Sequence, residues 1–116
     1  MSTPDHHAHI AGERLDAERR IAALQRRFDA IVEGSELTTD DDEHDPEGST
    51  IAFERAQVTA LLADARREVE ELDAALRRVE DGTYGICMYC GNSIAEARLD
   101  ALPAARTCIE CSSRRR

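Results

Sequence analysis

Four cysteines, arranged as two Cys-x-x-Cys pairs, constrain this chain more than any other feature of its sequence. Cys87 and Cys90 form the first pair, and Cys108 and Cys111 form the second after seventeen intervening residues. Zn²⁺ in structural sites takes four ligands in a tetrahedron, and each such pair supplies two thiolates from one tight turn. The spacing lies within the range that is typical of zinc sites. The sequence therefore predicts one structural zinc ion bound by all four cysteines.

Other uses of four cysteines fit the sequence less well. Two disulfides would need an oxidising compartment, whereas the polar first nine residues lack the apolar core of a signal peptide. Four thiolates leave no open coordination position, and no nucleophile–base set is evident, so we predict no enzyme activity. No stretch approaches the roughly 20 apolar residues that span a bilayer. We therefore expect a cytoplasmic protein with no membrane partner.

The rest of the chain lacks the residues of a large globular core. The whole chain of 116 residues contains 3% aromatic residues and no Trp, and 34% of its residues are charged. A composition rich in Ala, Leu, Glu and Arg is typical of long, solvent-exposed helices. Chains with so little core usually depend on a metal or on disulfides for stability. The net charge of −9 argues against binding to nucleic acid, which needs clustered cations.

Two stretches repeat apolar residues at alternating spacings of three and four, the pattern of a helix that buries one narrow stripe. The first covers about residues 10–33, with a stripe of Ala17, Ile21, Leu24, Phe28 and Ile31. The second covers about residues 50–80, and Leu61 and Ala75 widen its stripe of Ile51, Arg55, Val58, Leu62, Ala65, Val69, Leu72, Leu76 and Val79. We predict a mainly α fold, an antiparallel coiled-coil helical hairpin with a C-terminal C4 zinc finger. Pairing of the helices between two chains is the alternative.

The predicted domain organisation follows from these patterns. Residues 1–9 are expected to be disordered, residues 10–82 to form the hairpin with an acidic tip loop at about 36–49, residues 83–112 to form the finger, and residues 113–116 to form a basic tail. Between the cysteine pairs, Ile94 to Leu102 predicts a short helix that ends before Pro103. We expect Leu99 and Leu102 to pack beneath the metal, and Arg98 to pair with the thiolates or with a glutamate of the second helix.

The finger carries a dense motif that resembles a known family. The run Arg-Val-Glu-Asp-Gly-Thr-Tyr-Gly-Ile-Cys ends at Cys87, and Ala-Arg-Leu ends at Leu99. Together with Cys90-Gly91 and Cys108-Ile-Glu-Cys111, these residues resemble the TraR/DksA C4 zinc-finger family across about 35 residues. The preceding hairpin agrees with that family in architecture.

The resemblance implies a bacterial transcription factor that binds RNA polymerase directly and does not bind promoter DNA. In this family, the coiled coil enters the secondary channel of the polymerase, and acidic residues at the tip approach the active centre. Initiation complexes change in stability, often together with the nucleotide ppGpp. We accordingly expect a monomer whose partners are RNA polymerase and ppGpp.

The tip departs from the Asp-x-x-Asp-x-Ala pattern of the best-known members. Asp42 and Asp45 supply the two aspartates, but Glu47 stands at the alanine position. We interpret these three residues as the partner-binding tip. A solvated acidic connection without a partner is the alternative explanation of the loop.

Two other functions remain open on the sequence alone. A zinc-stapled coiled-coil adaptor or dimerisation module would use the same seam without binding polymerase. A nucleic-acid binder would use the finger with Arg114, Arg115 and Arg116, but the acidic composition and the scarcity of aromatic residues for base stacking argue against it.

Overall fold

The fold is mainly helical, as seen in a computed structural model that describes residues 3–37 and 46–114. Its four helices are α1 (Thr3–Leu37), α2 (Pro46–Asp81), α3 (Glu96–Ala101) and α4 (Ile109–Arg114). One isolated antiparallel bridge joins Ile86 to Ser93. None of the helices in the described part of the chain combines the length and the apolar character that crossing a membrane would require.

Helix α1 begins at Thr3, so the expectation of a disordered segment over residues 1–9 is wrong for the residues described. The cause is tertiary contact. Ile10 is fully buried, and the ring of His6 lies 4.9 Å from the ring of Tyr84. His9 lies 3.3 Å from the carbonyl oxygen of Asp100. A polar sequence near a chain end gives no local sign of such partners, because they follow more than seventy residues later.

The chain divides into two compact units, and the first consists of residues 1–16 and 68–116. Its helical part is a cluster of Ile10 from α1 with Leu72, Ala75 and Val79 from α2. Arg14 adds an ion pair with Asp73 through two hydrogen bonds. Helix α2 ends at Asp81, and Gly82 follows with a positive φ of 79°, which a glycine adopts at little cost.

The second unit, residues 17–67, contains the remaining parts of α1 and α2. Its buried residues are Ala17, Val58, Leu62 and Ala65, and the other members of the α1 stripe are half-buried. Arg66 of α2 donates a hydrogen bond to the Gln25 side chain of α1. The predicted stripes are therefore confirmed in their main positions. The inclusion of Leu61 is wrong, because its side chain is 41% exposed.

The antiparallel coiled-coil hairpin with a C-terminal C4 zinc finger is confirmed as the fold class. The helices extend further than predicted, however, since α1 ends at Leu37 and α2 begins at Pro46. Proline at the first position of a helix is favourable, because its fixed φ suits the helix and its missing N–H is not needed there. Residues 36–37 and 46–49 are thus helical instead of loop. Asp42 and Asp45 lie outside the described residues, and of Glu47 only the helical backbone is described.

Candidate metal centre

The first cysteine pair lies on a tight turn that follows α2. The Cys87 N–H donates to the Asn92 carbonyl at 2.8 Å, and the Gly91 N–H donates to the Cys87 carbonyl at 2.9 Å. Gly91 has a φ of 77°, a left-handed conformation that a glycine adopts at little cost. The turn therefore brings Cys87 and Cys90 to one side of the backbone, where both sulfur atoms can bind one metal ion. This cysteine pair with its turn is called the first knuckle, and Cys108 with Cys111 and their turn the second knuckle.

The second cysteine pair spans the start of α4. Cys108 precedes this helix, and Cys111 lies within it. The Ser112 N–H donates to the Cys108 carbonyl at 3.0 Å, while the Cys111 N–H approaches the Cys108 Sγ at 3.5 Å. Backbone N–H groups that point at sulfur stabilise negative charge on it. The helical turn thus holds the two sulfur atoms side by side.

The four sulfur atoms converge, with every pair of Sγ atoms within 4.8 Å. The Cys90 and Cys108 sulfur atoms are 3.8 Å apart. A tetrahedral zinc with bonds of about 2.3 Å places its sulfur ligands about 3.8 Å from one another. All four cysteines are free of disulfides. The cluster therefore fits one structural zinc ion held by Cys87, Cys90, Cys108 and Cys111, as the sequence predicts.

The thiol groups differ in their readiness to ionise. Hydrogen bonds from the backbone of Cys90 and then of Cys108 lower the pKa of Cys87 to about 6. The hydrogen bond with the Cys108 side chain, followed by burial, raises the pKa of Cys111 to about 12. A zinc ion would remove this difference, because a coordinated thiol loses its proton outright.

An apolar floor lies beside the first knuckle, formed by Cys87 with Ile94 and Leu99. Gly85 is required there. The reason is its φ of 81°, which other residues rarely adopt, since an added Cβ would lie at an ordinary contact distance of 3.5 Å from the Leu99 Cδ1 atom. The predicted short helix and the burial of Leu99 are confirmed. The predicted burial of Leu102 is wrong: α3 ends at Ala101, and the Leu102 side chain is 52% exposed.

Side chains from outside the cysteine pairs hold the segment that leads into the second knuckle. Tyr84 donates its hydroxyl hydrogen to the Pro103 carbonyl, Arg78 donates to the Ala104 carbonyl, and Arg98 donates to the Thr107 carbonyl. Burial and the nearby Arg106 lower the pKa of Arg78, while burial raises the pKa of Tyr84. The sequence gives no sign of these contacts, because their acceptors are backbone carbonyls, which every residue type carries.

The fold and the sulfur cluster define a helical protein with a C4 zinc finger, and known proteins resemble it in both features. Residues 82–116 match the model of the prokaryotic dksA/traR C4-type zinc finger. The solved structure of transcription factor DksA2 from Pseudomonas aeruginosa matches with a TM-score of 0.82, covering 97% of this chain and 81% of that one. At 22% identity, this likeness shows the fold alone.

Two curated relatives differ in how much of each protein is matched. General stress protein 16O of Bacillus subtilis is 28% identical over 112 residues, which cover 96% of this chain and 69% of that protein. RNA polymerase-binding transcription factor DksA of Caulobacter vibrioides is 47% identical over 49 residues, which cover 42% of this chain and 34% of that protein. The segment of residues 82–116 is thus similar to the DksA/TraR C4-type zinc finger, and the fold of the chain is similar to that of DksA2.

Proposed function

We propose that this chain is a DksA-like transcription factor that binds bacterial RNA polymerase through the secondary channel, with the acidic hairpin tip modulating initiation. The observation that carries the proposal is the family's four-cysteine finger on a DksA-like helical fold. Relatives with the same finger bear the name RNA polymerase-binding transcription factor. The family regulates transcription and is not a family of enzymes.

The charge of the molecule supports a protein surface, and not DNA, as the partner. The chain carries a net charge of −9, and four thiolates around one divalent zinc ion would make it more negative. Phosphate backbones repel such a protein, whereas cationic protein surfaces attract it and accelerate its association. The proposed partner therefore presents basic groups to the helices.

The proposed tip residues are Asp42, Asp45 and Glu47. The backbone of Glu47 belongs to α2. In the proposed complex, these carboxylates act on the cationic and metal-bearing surfaces near the active centre of the polymerase. Helices of 35 and 36 residues, each roughly 50 Å long, supply the reach.

The test is initiation by purified bacterial RNA polymerase, titrated with the zinc-loaded protein and with an Asp42→Ala/Asp45→Ala variant. We expect the wild type to change the lifetime of initiation complexes and the variant to bind polymerase without that change. Glu47→Ala places alanine at the position where the family pattern has it, and we expect it to strengthen the effect. Parallel reactions with ppGpp test whether the nucleotide acts together with this protein.

A matched control is Asp40→Ala/Asp41→Ala, which removes the same charge from the same acidic segment but leaves the proposed tip intact. We expect it to behave as the wild type. Equal loss of activity in both double variants would show that total charge, and not the tip residues, carries the effect. If neither the wild type nor the Asp42→Ala/Asp45→Ala variant binds polymerase, the proposed partner is rejected.

A dimerising adaptor is the second candidate, and exposed apolar residues on α2 favour it. The Phe53 side chain is 70% exposed, and Leu61 is also largely exposed. Exposed apolar residues that form one contiguous patch mark sites of interaction between proteins. Mass measurement in solution distinguishes the two functions, because the polymerase-binding proposal expects a monomer.

A further inference from the structure

The linker from residue 103 to residue 107, which joins α3 to the second cysteine pair, is held through its carbonyl groups. Four of its five carbonyls accept a hydrogen bond from a different donor elsewhere in the same unit. The bonds are Tyr84 Oη to Pro103 O at 2.8 Å, Arg78 Nη2 to Ala104 O at 3.3 Å, Met88 N to Arg106 O at 2.9 Å, and Arg98 Nε to Thr107 O at 2.9 Å.

The last of these bonds lies directly before a zinc ligand. Thr107 precedes Cys108, and the peptide group between them is planar, so a fixed Thr107 carbonyl also fixes the nitrogen and Cα of Cys108. The donor, Arg98, is part of α3, and its neighbour Leu99 is buried in the floor of the finger. The guanidinium group therefore connects a rigid element to the backbone of a ligand.

We propose that Arg98 is a positioning residue for the zinc ion. Its hydrogen bond to the Thr107 carbonyl holds the Cys108 thiolate in the direction in which it would coordinate the metal. Without this bond, the linker gains freedom just before the second cysteine pair, and the Cys108 thiolate leaves the metal more often. Groups that orient metal ligands typically change metal affinity about 10–100-fold when they are removed. The contribution of Arg98 is independent of any polymerase partner.

The test is the rate at which the zinc-loaded protein releases zinc to an excess of a chromogenic chelator. Arg98→Met keeps much of the side-chain length but has no donor, and we expect release to be about 10–100-fold faster. The control is Arg106→Met, which removes a positive charge from the same linker through an exposed side chain. We expect it to be less than about threefold faster than wild type, since exposed charges contribute little.

A conservative variant separates positioning from general stabilisation of the finger. The observed contact uses the Arg98 Nε atom alone, so Arg98→Lys retains both a charge and a donor. We expect Arg98→Lys to release zinc at close to the wild-type rate. The absorption bands of the cobalt-loaded Arg98→Met protein should match those of the wild type, because all four thiolates still bind at saturation.

Three results would overturn the proposal. The first is an unchanged release rate in Arg98→Met, and the second is an equal acceleration in Arg106→Met, which would assign the effect to charge. The third is an Arg98→Lys protein that releases zinc as fast as Arg98→Met. If circular dichroism shows that Arg98→Met does not fold, the release rate of Arg98→Lys decides alone.

Discussion

The two units of the molecule are stabilised in different ways. The unit of residues 1–16 and 68–116 contains two buried clusters, a four-sulfur site and side chains bonded to specific backbone carbonyls. Among the residues of 17–67 whose burial the structure describes, Ala17, Val58, Leu62 and Ala65 are buried, and the hydrogen bonds from Gln25 and Arg66 side chains are exposed. The first unit depends on a few strong interactions, whereas the second depends on helix propensity and a narrow seam.

This difference determines where single changes should matter. Loss of one strong interaction removes a large share of the stability of the first unit, because few others replace it. In the second unit, each seam residue contributes a modest amount of burial, and exposed positions contribute almost nothing. The loss of stability caused by a substitution should therefore depend sharply on its position in both units. The largest losses should follow from changes in the finger.

Zinc removal should have the largest effect. Structural zinc sites contribute apparent binding free energies of about 10–16 kcal/mol, which become folding free energy. With a strong chelator, we expect residues 83–112 to lose amide protection in hydrogen-exchange mass spectrometry, while residues 17–67 keep theirs. Added zinc should restore the protection. Equal loss of protection in both segments would contradict the difference between the units.

The next effect concerns two adjacent leucines of α2. Leu62 is 5% exposed and Leu61 is 41% exposed. Leu62→Ala should reduce the free energy of unfolding by about 2–3 kcal/mol, since it removes buried methyl groups and leaves a cavity. Leu61→Ala should cost about 0.5 kcal/mol or less. Urea unfolding monitored by circular dichroism measures both, and similar losses would mean that the seam is not where the structure places it.

The smallest effect compares two hydroxyl groups, one in each unit. Tyr84→Phe leaves the half-buried Pro103 carbonyl without its donor, so it should cost about 1 kcal/mol. Thr59 donates only to the Arg55 carbonyl of its own helix. Thr59→Ala should be neutral or stabilising by a few tenths of a kcal/mol, because alanine is the better helix former. Thermal unfolding of the two zinc-loaded variants tests the order, and a greater loss in Thr59→Ala would reverse it.

The sequence predicted the features that depend on local spacing. Two cysteines on each tight turn can only point to one side, so the pattern alone indicates the metal centre that the four sulfur atoms form. The spacing of three and four likewise predicts the seam, because side chains at those intervals share one face of a helix.

The sequence did not predict the features that depend on partners distant along the chain. Arg98 was expected to meet an anionic group, but its partner is the Thr107 carbonyl, which carries no signature in the sequence. The helical start of the chain was missed because its contacts come from Tyr84 and from the end of α2. The exposure of Leu102 depends on where α3 ends, and boundaries of short helices are weakly encoded.

The burial of Ile10 against Leu72, Ala75 and Val79 has a consequence for the order of events during synthesis. Residues 17–67 leave the ribosome as one continuous segment. Their parts of α1 and α2 can pair as soon as both have emerged. The first sixteen residues leave earlier, yet the residues that Ile10 contacts emerge some sixty residues later. Contacts between such distant residues form slowly, because a long loop must close first. The unit that contains the metal centre is therefore completed after the unit of residues 17–67 can pair.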